Sequence, residues 1–265
     1  MKKKGILLAG GLGTRLSPIT DVVNKHFLPI YNKPLFFYPL SILIMGGVEE
    51  IQIVSDEKSI PYFKKIISKL NLKTKFFYQI QKKPLGIVDG IIKSKKFLKK
   101  SDFILMLGDN FFYGQYLSQQ INELFKKNNA VLLIKKKDTK GFGVARLQRN
   151  KLKKIYEKPK KFISNNVVTG LYVYNNNVIN ICEKMKPSRR GELEVTDLNN
   201  ILIKKKILNY YNLGRGSVWL DAGSFDDLLK ASEFVKIIQD RSGFEIADLN
   251  EIEKNYLWNN DLRIL

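Results

Sequence analysis

Gly5-Ile6-Leu7-Leu8-Ala9-Gly10-Gly11-Leu12-Gly13-Thr14-Arg15 is the stretch of the sequence that decides the fold. Its first five residues form a short apolar run, which predicts a buried β-strand. The glycines that follow let backbone N–H groups approach a polyphosphate without obstruction from Cβ atoms, and Arg15 adds a permanently charged guanidinium. The spacing differs from the P-loop of common ATPases and from the dinucleotide fingerprint. We therefore expect an α/β fold with a phosphate-binding loop after its first strand; the structural alternative is a plain tight turn.

Short β-rich runs alternate with helical patterns over the first half of the chain. Buried strands are predicted at 5–9, 51–55, 76–81, 103–107 and 130–135, and helices at 35–45, 61–70, 87–98 and 117–127. This alternation predicts a Rossmann-like, mostly parallel mixed sheet that is flanked by helices. Strand-like runs at 143–147, 153–157 and 167–174 predict a small antiparallel addition, and helical patterns at 197–205 and 225–240 predict a helical C-terminal part.

The charge and composition argue against several classes of protein. The net charge is +21, but the lysines are dispersed and accompany no helix-turn-helix, zinc-finger or RNA-recognition pattern, so we expect no nucleic-acid partner. The apolar runs are too short to cross a bilayer, and glycines interrupt the run behind the basic start before a signal peptide could form. Cys182 is the single cysteine, which fits a reducing compartment. We expect a soluble, cytoplasmic protein with no membrane partner.

Two aspartates follow strand-like runs. Asp109 comes after the apolar run 103–107, and Asp221 follows Trp219-Leu220. Open α/β sheets bind ligands at the carboxyl ends of their strands. Two carboxylates that complete their coordination with substrate phosphates and water suit Mg²⁺. The pattern therefore favours a magnesium site, although an aspartate before Asn or Gly is also a common turn former.

Further motifs follow the glycine loop in a fixed order. They are Asn24 to Ile30 with Lys25, Lys33-Pro34, Tyr38-Pro39-Leu40, Gln81 with Pro84 and Gly86, Leu107 to Gly114, Glu157-Lys158-Pro159, Val168 to Tyr172, Arg190 to Asp197 and Trp219 to Gly223. With Gly10 to Leu16, this series resembles the sugar nucleotidyltransferase family over residues 5 to about 250. Within the family, the resemblance is greatest to the thymidylyltransferases that act on glucose 1-phosphate.

The resemblance implies a role for each matching residue. The catalytic residues would be Arg15, Lys25, Asp109 and Asp221, and Asp109 and Asp221 would hold Mg²⁺. The nucleotide would be bound by Leu8, Gly10, Gly11, Gly13, Thr14, Arg15, Lys25, Gln81, Gly86 and Asp109. The sugar phosphate would be bound by Asn110, Gly143, Glu157, Lys158, Val168 and Arg190.

The resemblance also implies an enzymatic activity and a domain organisation. The expected reaction condenses a nucleoside triphosphate, dTTP, with α-D-glucose 1-phosphate to give dTDP-glucose and pyrophosphate, a step toward deoxysugars and surface polysaccharides. We interpret residues 1–265 as one nucleotidyltransferase domain, in which 1–140 mainly bind the nucleotide and 141–223 mainly bind the sugar phosphate. Residues 224–265 would form C-terminal helices, shorter than in typical relatives, and we expect a homo-oligomer, either a dimer or a tetramer.

Three positions leave the substrates open. Leu85 and Asp89 depart from the pattern around the expected base contacts, and Phe142 stands where many relatives have Tyr. A uridylyl- or cytidylyltransferase, or an enzyme for an amino or deoxy sugar 1-phosphate, therefore stays an alternative. His26, the only histidine, is expected to bind or pack, because an ionised phosphate nucleophile needs no general base.

Two rivals come from other classes. A catalytically silent regulator that binds nucleotide sugars would keep the fold, but the joint presence of Arg15, Lys25, Asp109 and Asp221 argues against it. A nucleic-acid-binding protein would rest on the net charge alone.

Overall fold

The computed structural model describes residues 3–255. Residues 1–2 of the basic start and residues 256–265 of the predicted C-terminal segment lie outside the described residues. Within the described range no helix is both long enough and apolar enough to cross a membrane.

The strands follow the predicted alternation closely. They are β1 (Lys4–Leu8), β2 (Pro29–Ile30), β3 (Lys33–Pro34), β4 (Glu50–Ser55), β5 (Lys75–Ile80), β6 (Phe103–Leu107), β7 (Phe111–Tyr113), β8 (Ala130–Lys135), β9 (Gly143–Gln148), β10 (Lys151–Glu157), β11 (Asn166–Tyr174), β12 (Asn209–Asn212) and β13 (Val218–Leu220). The short strands β2, β3, β7 and β12 were not predicted, because their sequences carry no apolar run or alternation of useful length, whereas β13 contains the strand-like pair Trp219-Leu220 that was expected before Asp221.

Nine of the described strands form the central sheet. Its order is β10-β9-β11-β6-β1-β4-β5, with β8 on the other edge of β11 and β12 beside β8. Strands β1, β4, β5 and β6 are mutually parallel, and β11 runs antiparallel to β6, β8 and β9. The predicted mostly parallel mixed sheet with an antiparallel addition is therefore confirmed. Strand β12 pairs parallel with β8, and β7 pairs with β13 in a separate two-stranded sheet.

The helices cover both faces of the sheet. They are α1 (Phe37–Met45), α2 (Ile60–Ile67), α3 (Ile87–Lys93), α4 (Lys95–Leu98), α5 (Leu117–Phe125), α6 (Val178–Cys182), α7 (Val195–Lys204), α8 (Phe225–Ser242) and α9 (Leu249–Glu253). One apolar cluster packs α1, α2, α5 and α9 on one face, and a second packs α3, α4, α6 and α7 on the other. The single helix that was predicted at 87–98 is divided at Ser94, whose hydroxyl bonds to the carbonyl of Gly90 at 2.8 Å and competes with the helical pattern.

Helix α8 begins directly behind the second predicted carboxylate. Ser224 caps it by accepting a hydrogen bond from the backbone N–H of Asp227 at 3.2 Å, and Asp226 and Asp227 lie in the first turn, where negative charge stabilises a helix. Ala231 and Val235 pack α8 against the hairpin of β2 and β3. The turn that contains Asp221 is therefore held between β13 and a capped helix.

Candidate active site

Two cavities open near the carboxyl ends of the parallel strands. The smaller, of about 250 Å³, is lined by Leu8, Gly10, Gly11, Lys25, His26, Gln81, Pro84, Gly86, Ile87, Leu107, Asp109, Glu192 and Glu194. It thus collects seven of the ten residues predicted for the nucleotide. The larger, of about 640 Å³, lies between the 20–24 segment, the start of α2 and the 81–84 segment, and it shares Gly11, Gln81 and Pro84 with the smaller one.

The glycine loop continues into a short 3₁₀ turn that carries Arg15. The turn spans Thr14–Leu16, and Gly13 precedes it in a left-handed conformation with φ of 60°, which glycine adopts without steric cost. The guanidinium of Arg15 reaches the turn after β13: a Cβ placed on Gly223 would lie 2.7 Å from Arg15 Nη2 and 3.2 Å from Asp221 Oδ2. Arg15 and Asp221, predicted from opposite ends of the chain, therefore lie beside each other.

Lys25 forms an ion pair with Asp109. Its ammonium bonds directly to Asp109 Oδ2, and both side chains are mostly buried. Burial acts to raise the pKa of Asp109. The positive charge of Lys25 and the hydrogen bonds from Lys25 and Asn110 outweigh this effect and hold the pKa below its usual value. Asp109 is therefore an ionised carboxylate at the end of β6.

Asp221 has the opposite electrostatic environment. The pKa of Asp221 is raised above its usual value, and burial is the largest cause. The negative charges of Asp109 and Asp227 raise the pKa further, while Arg15 and Lys136 lower it. The mutual repulsion of Asp109 and Asp221 is what a divalent cation between them would relieve. Among residues 3–255 no group of three His, Cys, Asp or Glu side chains could hold a metal by itself. The donor set therefore fits a hard cation that takes its other ligands from substrate and water.

The amide of Asn110 joins three elements behind the two carboxylates. Its Nδ2 donates to Asp109 Oδ1 at 2.8 Å. Its Oδ1 accepts from the backbone N–H of Gly170 at 2.8 Å and from the indole of Trp219 at 2.6 Å. The side chain is 2% exposed. The resemblance assigned Asn110 to the sugar; in the structure its hydrogen bonds hold the ends of β6 and β13 and the middle of β11 together.

The predicted base contacts lie next to each other at the end of β5. Gln81 donates from Nε2 to the carbonyl of Gly86 at 3.2 Å and to Asp89 Oδ2 at 2.8 Å. The loop is fixed by Leu193, whose N–H bonds to the carbonyl of Leu85 at 2.8 Å. Asp89, noted as a departure in the sequence, thus orients the amide of Gln81.

The predicted sugar-phosphate residues converge on Glu157. Its Oε2 accepts from Thr196 Oγ1 at 2.5 Å, and its Oε1 lies 3.9 Å from Arg190 Nη2 and 4.0 Å from Lys158 Nζ. Gly143 borders the same wall: a Cβ there would lie 3.7 Å from the Cβ of Val168 and 3.8 Å from Glu157 Oε2. Glu157 therefore lies beside two cationic side chains, of which Arg190 pairs more closely with Glu194, whose Oε1 is 2.7 Å from Arg190 Nη2.

Two residues at the site, Thr196 and Lys136, were not predicted from the sequence. Thr196 lies in the Arg190 to Asp197 motif, but its contact with Glu157 depends on how α7 crosses β10. The ammonium of Lys136 lies 4.8 Å from the ring centre of Phe142 and 5.4 Å from that of Trp219. Its positive charge acts to lower the pKa of Asp221. No sequence signal distinguishes Lys136 from Lys135 and Lys137.

His26 is a packed residue. It is 1% exposed, and burial, together with the charge of Lys25, lowers its pKa to about 3 even though Asp109 and Asp56 act to raise it. The imidazole is therefore neutral over the physiological pH range. This agrees with the expectation of a binding or packing role rather than acid–base catalysis.

Comparison with known proteins places this geometry in a family. Residues 4–237 match the family model described as nucleotidyl transferase. A glucose-1-phosphate thymidylyltransferase from Neisseria meningitidis serogroup A is 36% identical over 98% of this chain and 92% of its own length. One from Mycolicibacterium smegmatis is 36% identical over 94% and 88%.

Solved structures agree. A protein assigned as a glucose-1-phosphate thymidylyltransferase from Bacillus anthracis superposes with a TM-score of 0.80 at 34% identity, over 88% of this chain and 94% of that one. A UDP-glucose pyrophosphorylase in complex with UDP-glucose superposes with a TM-score of 0.79 at 25% identity, over 91% of this chain and 100% of that one.

Proposed function

Because the chain belongs to the nucleotidyl transferase family, we propose that it transfers a thymidylyl group from dTTP to α-D-glucose 1-phosphate, with dTDP-glucose and pyrophosphate as products. The enzyme class follows from the family, whereas the substrate pair is carried over from the named activity of the relatives. The best support for two separate anion-binding sites is that the cationic side chains form two groups. Arg15 and Lys25 lie beside Asp221 and Asp109, and Lys158 and Arg190 lie beside Glu157.

The reaction brings two anions together. An oxygen of the sugar phosphate attacks the α-phosphorus of the triphosphate, a P–O bond forms in line, and the bond to the leaving pyrophosphate breaks. Positioning and charge neutralisation carry most of such a reaction, since no proton must be removed from an ionised phosphate. Arg15 and Lys25 would bind the triphosphate, and Lys158 and Arg190 the sugar phosphate.

The base and the sugar would be recognised by hydrogen bonds. Gln81 and the backbone of Gly86 would pair with the edge of thymine, with Leu8 and the glycines 10, 11 and 13 against the nucleoside and Thr14 at the phosphates. Glu157 would accept from sugar hydroxyls, and Asn110, Gly143 and Val168 would close the sugar pocket. These roles rest on the matching motifs and on the proximity of the groups.

A magnesium ion fits the two carboxylates. Asp109 and Asp221 repel each other, and Mg²⁺ is usually bound by one or two carboxylates together with phosphates and water. When bound, the ion would neutralise charge on the triphosphate. Lys25 would keep Asp109 ionised, and Arg15 would stabilise the ionised form of Asp221.

Pyrophosphate release tests the proposal. The purified chain with Mg²⁺ is assayed across a matrix of dTTP, UTP and CTP against the 1-phosphates of glucose, an amino sugar and a deoxy sugar. We expect the highest kcat/KM for dTTP with glucose 1-phosphate. A uridylyl- or cytidylyltransferase is the second candidate, because Leu85 and Asp89 depart from the pattern around the expected base contacts, and preferred turnover of UTP or CTP would establish it. Absence of turnover with every pair would contradict the enzymatic proposal.

The remaining expectations concern the cell and the assembly. We propose a cytoplasmic, single-domain homo-oligomer, a dimer or tetramer, that supplies a nucleotide sugar for deoxysugar and polysaccharide synthesis. Light scattering coupled to gel filtration measures the assembly directly, and a monomer at micromolar concentration would refute it.

A further inference from the structure

Arg190, one of the two cations proposed for the sugar phosphate, is bonded to the carboxylate of Glu194. Its guanidinium donates to Glu194 Oε1 from Nε at 3.0 Å and from Nη2 at 2.7 Å. The same Nη2 lies 3.9 Å from Oε1 of Glu157. The guanidinium is therefore placed between two carboxylates and is hydrogen-bonded to only one of them, Glu194.

Ser188 ties the backbone of Arg190 to the same carboxylate. Its hydroxyl donates to Glu194 Oε1 at 3.1 Å and accepts from the backbone N–H of Arg190 at 3.2 Å. The side chain of Arg190 is 49% exposed, whereas that of Glu194 is 14% exposed. A half-exposed arginine loses much rotamer freedom when it is held in one geometry. One oxygen of a mostly buried carboxylate provides that restraint here.

The side chain of Glu194 is not used to cap the helix that follows it. Glu194 is the residue before α7, yet its side chain makes no capping hydrogen bond to that helix. Within residues 3–255 its carboxylate accepts hydrogen bonds from Ser188 and Arg190 only. Glu194 also lines the smaller cavity. It therefore borders both the nucleotide cavity and Arg190.

We propose that Glu194 is a positioning residue of the sugar-phosphate site, which orients the guanidinium of Arg190 for the phosphate. The inference rests on the proposed function for its kinetic consequence but not for its structural one. Glu194 occupies Nε and Nη2, while Nη1 has no hydrogen-bond partner among the described residues, so Nη1 is left to donate to a phosphate oxygen. Orienting the side chain in advance lowers the entropic cost of binding.

The pairing makes the effects of the two residues depend on each other. Without Glu194, the guanidinium keeps its charge but loses its orientation. Without Arg190, the carboxylate of Glu194 is no longer neutralised and repels the phosphates that enter the site. Removal of the Glu194 charge should therefore weaken sugar-phosphate binding when Arg190 is present and strengthen it when Arg190 is absent. A residue that only supports the local fold would have the same effect in both backgrounds.

Nitrogen-15 NMR of the full chain tests the attachment without any substrate. The Nε–H of Arg190, assigned by its loss in Arg190→Lys, is expected to exchange with water about tenfold faster in Glu194→Gln, because the charge-assisted hydrogen bond is lost. Ser188→Ala should accelerate the exchange less. Glu192→Gln is the matched control: it removes a carboxylate from the same cavity wall, where Glu192 makes no hydrogen bond to Arg190 in the described part of the chain, and it should leave the exchange rate unchanged.

Initial rates provide the second readout. Glu194→Gln is expected to raise KM for the sugar phosphate about tenfold, the effect of one lost charge-assisted hydrogen bond, without raising KM for the nucleoside triphosphate. In an Arg190→Ala background, the same change should lower KM for the sugar phosphate. Circular dichroism checks that each variant is folded. If Glu194→Gln does not fold, the exchange rate in Ser188→Ala decides, and an unchanged rate there would overturn the proposal.

Each other outcome also has a clear reading. Equal exchange rates of the Arg190 Nε–H in the natural chain and in Glu194→Gln would overturn the proposal. An equal rise of KM with and without Arg190 would show that Glu194 does not act through Arg190 and would overturn the functional part. If the exchange rates change as expected but no substrate pair is turned over, the proposed function fails and the attachment of Arg190 to Glu194 stands.

Discussion

Trp219 donates its indole N–H to Asn110 Oδ1 at 2.6 Å, and this bond joins the strand before Asp221 to the residue after Asp109. Both partners are almost completely buried. A buried polar group that loses its partner destabilises the fold by more than the bond itself contributes. The relative position of the Asp109 and Asp221 carboxylates therefore depends on the neutral hydrogen bond between Trp219 and Asn110, in which neither carboxylate takes part.

The Trp219–Asn110 bond predicts a non-additive pair of variants. Asn110→Ala orphans the indole and the N–H of Gly170, and we expect a loss of about 2–4 kcal/mol of unfolding free energy. Trp219→Phe removes one donor and should cost about 1–2 kcal/mol. Urea denaturation of both single variants and the double variant measures the coupling. Simple additivity would show that the bond contributes nothing.

Neutralising either carboxylate should abolish turnover while leaving the fold intact. We expect Asp109→Asn and Asp221→Asn to lower kcat at least about a hundredfold, since each replaces one carboxylate oxygen by an amide nitrogen and removes the charge that opposes Lys25 or Arg15. Pyrophosphate release is measured beside circular dichroism. Asp226→Asn, exposed in the first turn of α8, is the control. Retained activity in both variants would contradict the metal assignment.

Lys136 should control the acid limit of activity. Its charge lowers the pKa of Asp221, which burial, Asp109 and Asp227 raise. In Lys136→Met the pKa of Asp221 rises further, so a smaller fraction is ionised at a given acidic pH. The acidic limb of the pH profile of kcat/KM should therefore move to higher pH. Lys137→Met removes an exposed neighbouring charge and should leave the profile in place; an equal shift in both variants would refute a specific effect of Lys136.

A change at Glu157 should alter KM for the sugar phosphate and leave KM for the nucleoside triphosphate as it is. Because Thr196, Lys158 and Arg190 meet it, Glu157→Ala is expected to raise KM for the sugar phosphate about 10- to 100-fold, equivalent to one or two lost hydrogen bonds to a charged group. KM for the nucleoside triphosphate should be unchanged. Initial rates with each substrate varied in turn separate the two, and Glu233→Gln on α8 is the control. A parallel rise in both values would place Glu157 elsewhere in the mechanism.

Glu253 should stabilise the fold without affecting the chemistry. It is 2% exposed, and its carboxylate accepts from the N–H of Lys73 at 2.6 Å and from the N–H and hydroxyl of Thr74 at 2.7 and 2.6 Å. Glu253→Gln turns one acceptor into a donor that faces other donors, which should cost about 1–3 kcal/mol. Thermal unfolding measures the loss, and kcat at moderate temperature should be retained. An unchanged melting temperature would contradict this role.

The parallel sheet was predictable because its strands are short apolar runs with helical patterns between them. Phe103–Leu107 and Ala130–Lys135 have the predicted bounds. Asn209–Asn212 was not predicted: the sequence Asn-Tyr-Tyr-Asn has no apolar alternation, and it becomes a strand only because β8 offers an unpaired edge.

The sequence predicted which residues lie at the site better than it predicted which of their side chains contact each other. The glycine loop and the residues after strand ends carry local signals, and the structure brings Arg15 to Asp221 and Lys25 to Asp109. The inward orientation of Asn110 carries no such signal, because it depends on Gly170 and Trp219, which are distant in sequence.

Trp219 also gives the site an optical reporter. The sequence has two tryptophans, and the ring of Trp219 lies beneath the ammonium of Lys136, with its N–H bonded to the residue that follows Asp109. Indole emission responds to nearby charge. In a Trp258→Phe background, the arrival of a divalent cation or a triphosphate would therefore be followed by fluorescence, so that binding can be titrated apart from turnover.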